Sequence, residues 1–240
     1  MWGEDKTTLY ARVKARFELA LSEGRWRAGD MLPSERALAV QFGVSTGTLR
    51  KAFDALEDEG VLVRIQGRGT FVKSYAGAGY RNAFHRFFND DLEAIVPFSM
   101  RPVLWECLPA RRSGKVGQTL GLSPETPLWH AIRVYAWRGD DVGISELWLE
   151  KARFQSLTAE GLARHAGSLY EFYELQHGVT IVDVEDRIKA RAVTARMAQW
   201  GAFRVGAPCL ELTRVGRTFG GVPVEYRLSY CINEHWHMRF

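Results

Sequence analysis

Residues 32–72 constrain what this chain can fold into more tightly than any other stretch, because helix starts, helix stops and a hairpin turn follow one another there without slack. Ser34 is placed to cap a first helix by accepting a free backbone N–H at its start. Leu38, Ala39 and Phe42 give that helix an apolar stripe, and Gly43 ends it. Ser45 is placed to cap a second helix, in which Leu49, Phe53 and Leu56 recur at i, i+4 and i+7. The opposite face, with Thr46, Gly47, Arg50 and Lys51, is thereby left free. Gly60 stops this helix, and residues 61–65 and 70–73 read as two strands around Gln66-Gly67-Arg68-Gly69. A helix-turn-helix followed by a basic, glycine-tipped wing is an arrangement that reads duplex DNA.

The candidate DNA contacts are Arg36, Ser45, Thr46, Thr48, Arg50, Lys51, Gln66, Gly67 and Arg68. Lys51, Arg64 and Lys73 are candidates for phosphate contacts, which position a protein without reading sequence. Asp54, Glu57, Asp58 and Glu59 crowd the far end of the second helix and would repel phosphate, so only its N-terminal half is expected in the groove. Upstream, Thr8 opens a helix whose Leu9, Val13, Phe17 and Leu21 form a stripe expected to pack on Leu38, Phe42 and Phe53. Residues 30–32 are expected as a short strand against the wing.

A chain of 240 residues, 46% apolar and 25% charged, has room for one large or two modest domains with proper cores. A net charge of +4 and a pI near 9.0 are compatible with a nucleic-acid partner without requiring one. No apolar run approaches the roughly 20 residues of a membrane-spanning helix. The start lacks a basic-then-apolar leader, so a cytoplasmic protein with no membrane partner is expected. Cys107, Cys209 and Cys231 are far apart and form no metal or disulfide pattern. His235 and His237 lack further ligands at useful spacing, so neither metal nor cofactor is expected. Nucleophile triads, phosphate-binding loops and dinucleotide fingerprints are missing from the sequence.

Residues 32–72 resemble the winged-helix signature of the GntR family of bacterial transcription regulators. The matching positions are Leu32-Pro33-Ser34-Glu35-Arg36, Leu38-Ala39, Gly43-Val44-Ser45, Thr48-Leu49-Arg50, Ala52, Leu56, Gly60 and Gly67-x-Gly69-Thr70-Phe71-Val72. The resemblance implies that Arg36 and Arg50 contact the operator and that Gly67 is the wing tip entering the minor groove. Family members usually carry Arg where this chain has Thr46. Threonine cannot make arginine's two hydrogen bonds to guanine, which points to a different operator or a heavier reliance on phosphate contacts.

Residues 74–81 are small and glycine-containing, which places a winged-helix domain at 1–74, a hinge at 75–81 and a second domain at 82–240. Phe84, Phe87, Phe88 and Phe98 suggest an aromatic arm packed on the second domain. Beyond it, strands are expected at 103–108, 127–137, 142–149, 179–190, 210–219 and 222–232, and helices at 116–121, 155–164, 168–176 and 194–200. In the third of these helices Leu169, Phe172 and Leu175 are expected to face inward. Hairpin strands with helices on one face indicate an α+β domain built on an antiparallel sheet. Their order resembles the UTRA effector-sensing domain, of chorismate-lyase-like fold, that accompanies the HutC-like branch of the GntR family. Residues 122–149, 168–178 and 206–230, including Gly220-Gly221-Val222-Pro223-Val224-Glu225-Tyr226, carry that resemblance.

Period-two alternation puts Arg133 and Tyr135 on one face of their strand and Ile132 and Val134 on the other. Arg133 and Glu146 in otherwise apolar strands are either an ion pair across the sheet or parts of a small-molecule pocket. In the pocket reading, which the resemblance favours, Arg133 holds an anionic group and Glu146 accepts from ligand donors. Ser168 and Tyr170 lie at a helix start that favours an anion, and Glu225 matches a family pocket position. The candidate effector residues are thus Arg133, Tyr135, Glu146, Ser168, Tyr170 and Glu225, for a carboxylate, phosphate or phosphonate. Sugar-phosphate-sensing relatives often have a second Arg where Tyr135 stands, and the family's Arg-Gly-Asp-Arg is replaced by Ile232-Asn233-Glu234-His235. The expected function is a homodimeric, effector-responsive repressor on an inverted-repeat operator. A lyase-like enzyme and a DNA binder that senses nothing are the rivals.

Overall fold

The computed structural model describes residues 8–74, 87–89, 99–164, 168–232 and 236–239. The head begins with α1 (Leu9–Ser22), α2 (Glu35–Phe42) and α3 (Thr46–Asp58), followed by β1 (Leu62–Ile65) and β2 (Gly69–Val72), the wing. Its caps follow the sequence logic: the Ser34 and Ser45 hydroxyls accept from the backbone N–H groups of Ala37 and Thr48. Gly43 ends α2 with φ 69°, a left-handed conformation that glycine adopts without strain. Phe17 packs edge-on against Phe53, with ring centroids 5.1 Å apart, so α1 does brace the reading pair. The strand expected at 30–32 is reduced to a single bridge between Met31 and Phe71.

The second domain holds β3 (Phe87–Asn89), β4 (Ser99–Pro109), α4 (Lys115–Thr119), β5 (Pro127–Trp137), β6 (Asp140–Glu150), α5 (Ala159–Arg164) and α6 (Leu169–His177). It continues with β7 (Asp183–Ala192), α7 (Ala195–Ala198), β8 (Pro208–Arg217), β9 (Pro223–Cys231) and β10 (Trp236–Met238). Six strands form one antiparallel sheet in the order β4-β5-β6-β9-β8-β7, while β3 pairs separately with β10. One sheet face packs Ala131, Leu147 and Leu149 against Phe154, Leu157 and the α6 residues Phe172 and Tyr173. On the other, Ile132, Val134 and Ile144 pack against Val193, Met197 and Phe203. No helix among the described residues is long and apolar enough to cross a membrane.

Further expectations fail locally: the strand expected from residue 179 starts at Asp183. The helix expected from residue 155 starts at Ala159, because turns through 151–157 deliver Phe154 and Leu157 into the core. Leu175 is 61% exposed, since α6 turns Tyr170 and Tyr173, not Leu175, toward the sheet. The expected hinge at 75–81, together with Phe84 and Phe98, lies outside the described residues.

The β5–β6 hairpin contains the detail that decides the site. Arg138 and Gly139 both have positive φ, 53° and 96°, as a two-residue hairpin turn requires. Ala136 then pairs with Asp141, but Tyr135 pairs with Gly143, so Val142 is an extra residue in a bulge. That single insertion shifts the register by one and sends every later β6 side chain to the other face.

Candidate nucleic-acid interface and effector pocket

On the head, Arg36, Thr46, Arg50, Lys51, Gln66, Gly67 and Arg68 are all exposed on α2, the start of α3 and the wing tip. Ser45 and Thr48 are partly committed: their hydroxyls lie 2.9 Å apart while Ser45 caps α3. Gly67 turns the wing with φ 73°. The Arg68 guanidinium lies over the Phe71 ring, 5.7 Å from its centroid. Glu35 joins helix to wing: one carboxylate oxygen accepts from Arg50 Nε at 3.0 Å and the other from Arg64 Nη2 at 3.2 Å. Arg64 also meets Asp54 and Glu57, each at 2.7 Å. Three carboxylates thus surround the half-exposed Arg64 guanidinium.

In the second domain, Arg133 of β5 sits beside Ser145 of β6, and two residues further along the same face Arg227 of β9 sits beside Arg214 of β8, because Ser145 pairs with Ser229 and Arg227 with Leu147. Helix α6 lies over this face. Glu225 is fully buried and accepts from the Tyr170 hydroxyl at 2.8 Å, the Tyr173 hydroxyl at 2.9 Å and Arg227 Nη2 at 3.1 Å. Burial, reinforced by the Glu225 charge, pushes the Tyr173 hydroxyl well above the usual tyrosine range. Burial likewise raises Tyr170, so both phenols stay protonated donors. Arg214 is matched by Asp186 through two contacts of 2.6 Å. Tyr135 beside them is pulled down: burial works against ionisation, but the Arg133 and Arg227 charges outweigh it.

Arg133 differs from the other two arginines. It is 2% exposed, yet its closest polar contacts are Ser145 Oγ at 3.4 Å and Met100 Sδ at 3.5 Å. Its Nε has no hydrogen-bond partner, and no carboxylate among the described residues pairs with it. A guanidinium held dry without a counter-charge is costly to bury.

Glu146 is not in this cluster. The bulge at Val142 sets Glu146 opposite Ile132, on the far face of the sheet from Arg133, which corrects both the shared pocket and the cross-sheet ion pair. There it accepts from His130 Nε2 at 2.9 Å and Arg196 at 3.3 Å, while His130 Nδ1 meets Glu106 at 2.8 Å. Burial disfavours the charged imidazole, but the two carboxylates outweigh it and raise its pKa. Ser168 is the N-cap of α6, although its hydroxyl does not cap the helix. Sequence reasoning missed Tyr173, Arg214, Asp186 and Arg227, although Arg227 shares the parity of Glu225 and Tyr173 follows Tyr170 by nearly one turn.

The Glu225 cluster and the head are in contact through two elements. Tyr173 bonds Glu225, and its neighbour Glu174 accepts from Ser74, two residues beyond the wing strand β2. Phe219, between β8 and β9, is 3% exposed and completes the head cluster of Val13, Phe17 and Leu21. Gly220 follows at φ 71°, where a Cβ would lie 3.5 Å from that of Glu18.

Two family profiles match the chain: bacterial regulatory proteins of the gntR family over residues 9–72 and the UTRA domain over residues 106–237. The chain belongs to the GntR family of bacterial transcription regulators. It is similar to an uncharacterized HTH-type transcriptional regulator of Rhizobium meliloti, with 30% identity over 91% of this chain and 88% of the relative. It is also 29% identical to the mannosyl-D-glycerate transport/metabolism system repressor MngR of Escherichia coli, over 91% and 89% of the two chains. Among solved structures, the ligand-binding domain of a GntR-family regulator from Bordetella bronchiseptica aligns with a TM-score of 0.60 and 25% identity, covering 65% of this chain and 96% of that one. YydK from Bacillus subtilis shares the fold over 92% and 93% of the two chains, with a TM-score of 0.52 and 20% identity. This GntR-family member is therefore a DNA-binding regulator with an effector-binding second domain, and the lyase-like rival falls away.

Proposed function

We propose that this regulator is a cytoplasmic repressor that binds an inverted-repeat operator as a homodimer and responds to a small anion held by Arg133. The observation that carries the ligand class is the buried, unpaired Arg133 guanidinium. A carboxylate, phosphate or phosphonate would supply the missing counter-charge, with Ser145 and Tyr135 at its rim and the Glu225–Tyr170–Tyr173 cluster beyond, able to accept from hydroxyl or amino groups. On the DNA side, Arg36, Thr46, Arg50, Lys51 and the wing residues Gln66, Gly67 and Arg68 form the contact surface, and Ser45 and Thr48 fix the start of the recognition helix. Ligand-induced shifts of α6 and of the Phe219 turn would change the spacing of the two heads. A coupling of about 1–3 kcal/mol alters operator affinity roughly 5–150-fold.

The test is a thermal-shift screen of small carboxylates, phosphates and phosphonates at fixed ionic strength. Operator titrations with each hit follow. The expected result is a hit that raises the melting temperature and changes operator affinity. Operator binding untouched by every stabilising anion would instead favour the rival that senses nothing.

A further inference from the structure

All but one of the described glycines of the head have a backbone reason to be glycine. Gly24, Gly29, Gly43, Gly60, Gly67 and Gly69 have positive φ, where a side chain would strain the chain. Gly47 does not: it is the second residue of α3, in regular helix, and it is exposed. A Cβ built on it would meet only Ser45 Oγ, at an ordinary 3.9 Å. A small side chain therefore fits the protein itself, and glycine gives up helix stability here without relieving any internal clash.

Its position explains the choice. At about 100° per residue, Gly47 lies roughly 140–240° around α3 from the buried Leu49, Ala52, Phe53 and Leu56, in the middle of the exposed face. Arg50 is about 60° to one side and Lys51 about 40° to the other, one turn further on. Helical side chains lean toward the N-terminus, so these two cations flank a stretch of bare backbone. Arg50 is held on its side by Glu35, whose Oε2 accepts from Nε at 3.0 Å. The Thr48 hydroxyl lies 2.9 Å from that of Ser45, so it turns back along the helix and leaves the gap open.

We propose that Gly47 sets how deeply α3 enters the major groove: with no Cβ in the way, the helix backbone itself meets a base edge, and Arg50 and Lys51 reach past it on either side. This rests on α3 being the recognition helix, as proposed above, and names the residue that fixes its depth. The groove is about 12 Å wide and a helix with its side chains about 10–12 Å across, so one carbon atom on the leading face decides the fit. A Cβ at residue 47 would hold α3 outward by about a bond length. Contacts to base edges are short and directional and would be lost, whereas a long, flexible lysine on a phosphate follows the displacement. Gly47 thus acts on sequence-specific binding and leaves non-specific binding alone.

The test uses the full-length chain and short duplexes that the wild-type protein itself selects from a random-sequence pool, with a scrambled duplex as the non-specific probe. Gly47→Ala should raise the melting temperature by about 1–4 °C, because alanine favours the helix. It should nevertheless weaken binding to the selected duplexes at least about fivefold, the lower end of what one base contact contributes. Binding to the scrambled duplex should not change, and Gly47→Leu should bind the selected duplexes more weakly still. A melting temperature lowered by Gly47→Ala would mean that glycine serves the fold, and it overturns the proposal. So does an equal loss of affinity for selected and scrambled duplexes. Arg50→Ala, measured alongside, separates this proposal from the reading beneath it. If Arg50→Ala weakens binding to the selected duplexes and Gly47→Ala does not, the depth-setting role alone falls. If neither variant loses affinity, α3 is not the recognition helix and both fall.

Discussion

Replacing Arg133 with methionine should make the protein more stable and unable to respond to its effector. The buried guanidinium, 2% exposed, has lost its hydration and gains only the long contacts to Ser145 and Met100 in return. The penalty for an ion in such a place is several kcal/mol, and a well-packed apolar replacement commonly recovers about 1–4 kcal/mol. Methionine keeps the length of the arginine stem and fills irregular space well. At about 2–4 °C per kcal/mol for a chain of this size, the melting temperature should rise by several degrees. In the wild type an anion at about 100 times its Kd adds roughly 2.7 kcal/mol. That increment should vanish in the variant. Differential scanning fluorimetry with and without the anion, at constant ionic strength, measures both effects. A lower melting temperature together with an intact anion-induced shift would refute the reasoning, since Arg133 would then be a satisfied structural cation.

Arg50→Ala should weaken specific operator binding by about 1–3 kcal/mol if Arg50 reads a base, and an unchanged binding isotherm would remove it from the interface. His130 gains its two carboxylates only on folding, so its pKa is raised above the ordinary 6.5. The resulting stabilisation is fully present below pH 6.5 and is lost as pH rises through the raised value. Melting curves across that range should show the loss, and His130→Gln should flatten it. Phe219→Ala should cost about 3–5 kcal/mol in denaturant unfolding, as for a buried aromatic side chain, and a cost below about 1 kcal/mol would mean that Phe219 does not complete the head core.

The head could be read from the sequence because its determinants are local. Ser34, Gly43 and Ser45 act within one turn of themselves, and the stripes on α1 and α3 meet over short distances. The pocket could be read only in part. Alternation put Arg133 and Tyr135 on one face, but its remaining members come from strands brought together by topology, as when Leu147 of β6 meets Arg227 of β9. Glu146 shows the limit most clearly. Counted from a regular two-residue turn it would share the face of Arg133, and one bulged residue, Val142, reverses that. Leu175 was misplaced for a related reason, since hydrophobicity suggested an inward face where the tyrosines had the stronger claim through their bonds to Glu225.

The position of Phe219 also bears on how regulators of this kind could be recombined. A head excised at residue 74 would leave behind an aromatic side chain of its own core. Grafting a foreign head onto this second domain would present Phe219 and Gly220 to an α1 surface not shaped for them. Chimeras should therefore carry the β8–β9 turn with the head to which it is fitted, so that the unit of exchange is discontinuous in sequence.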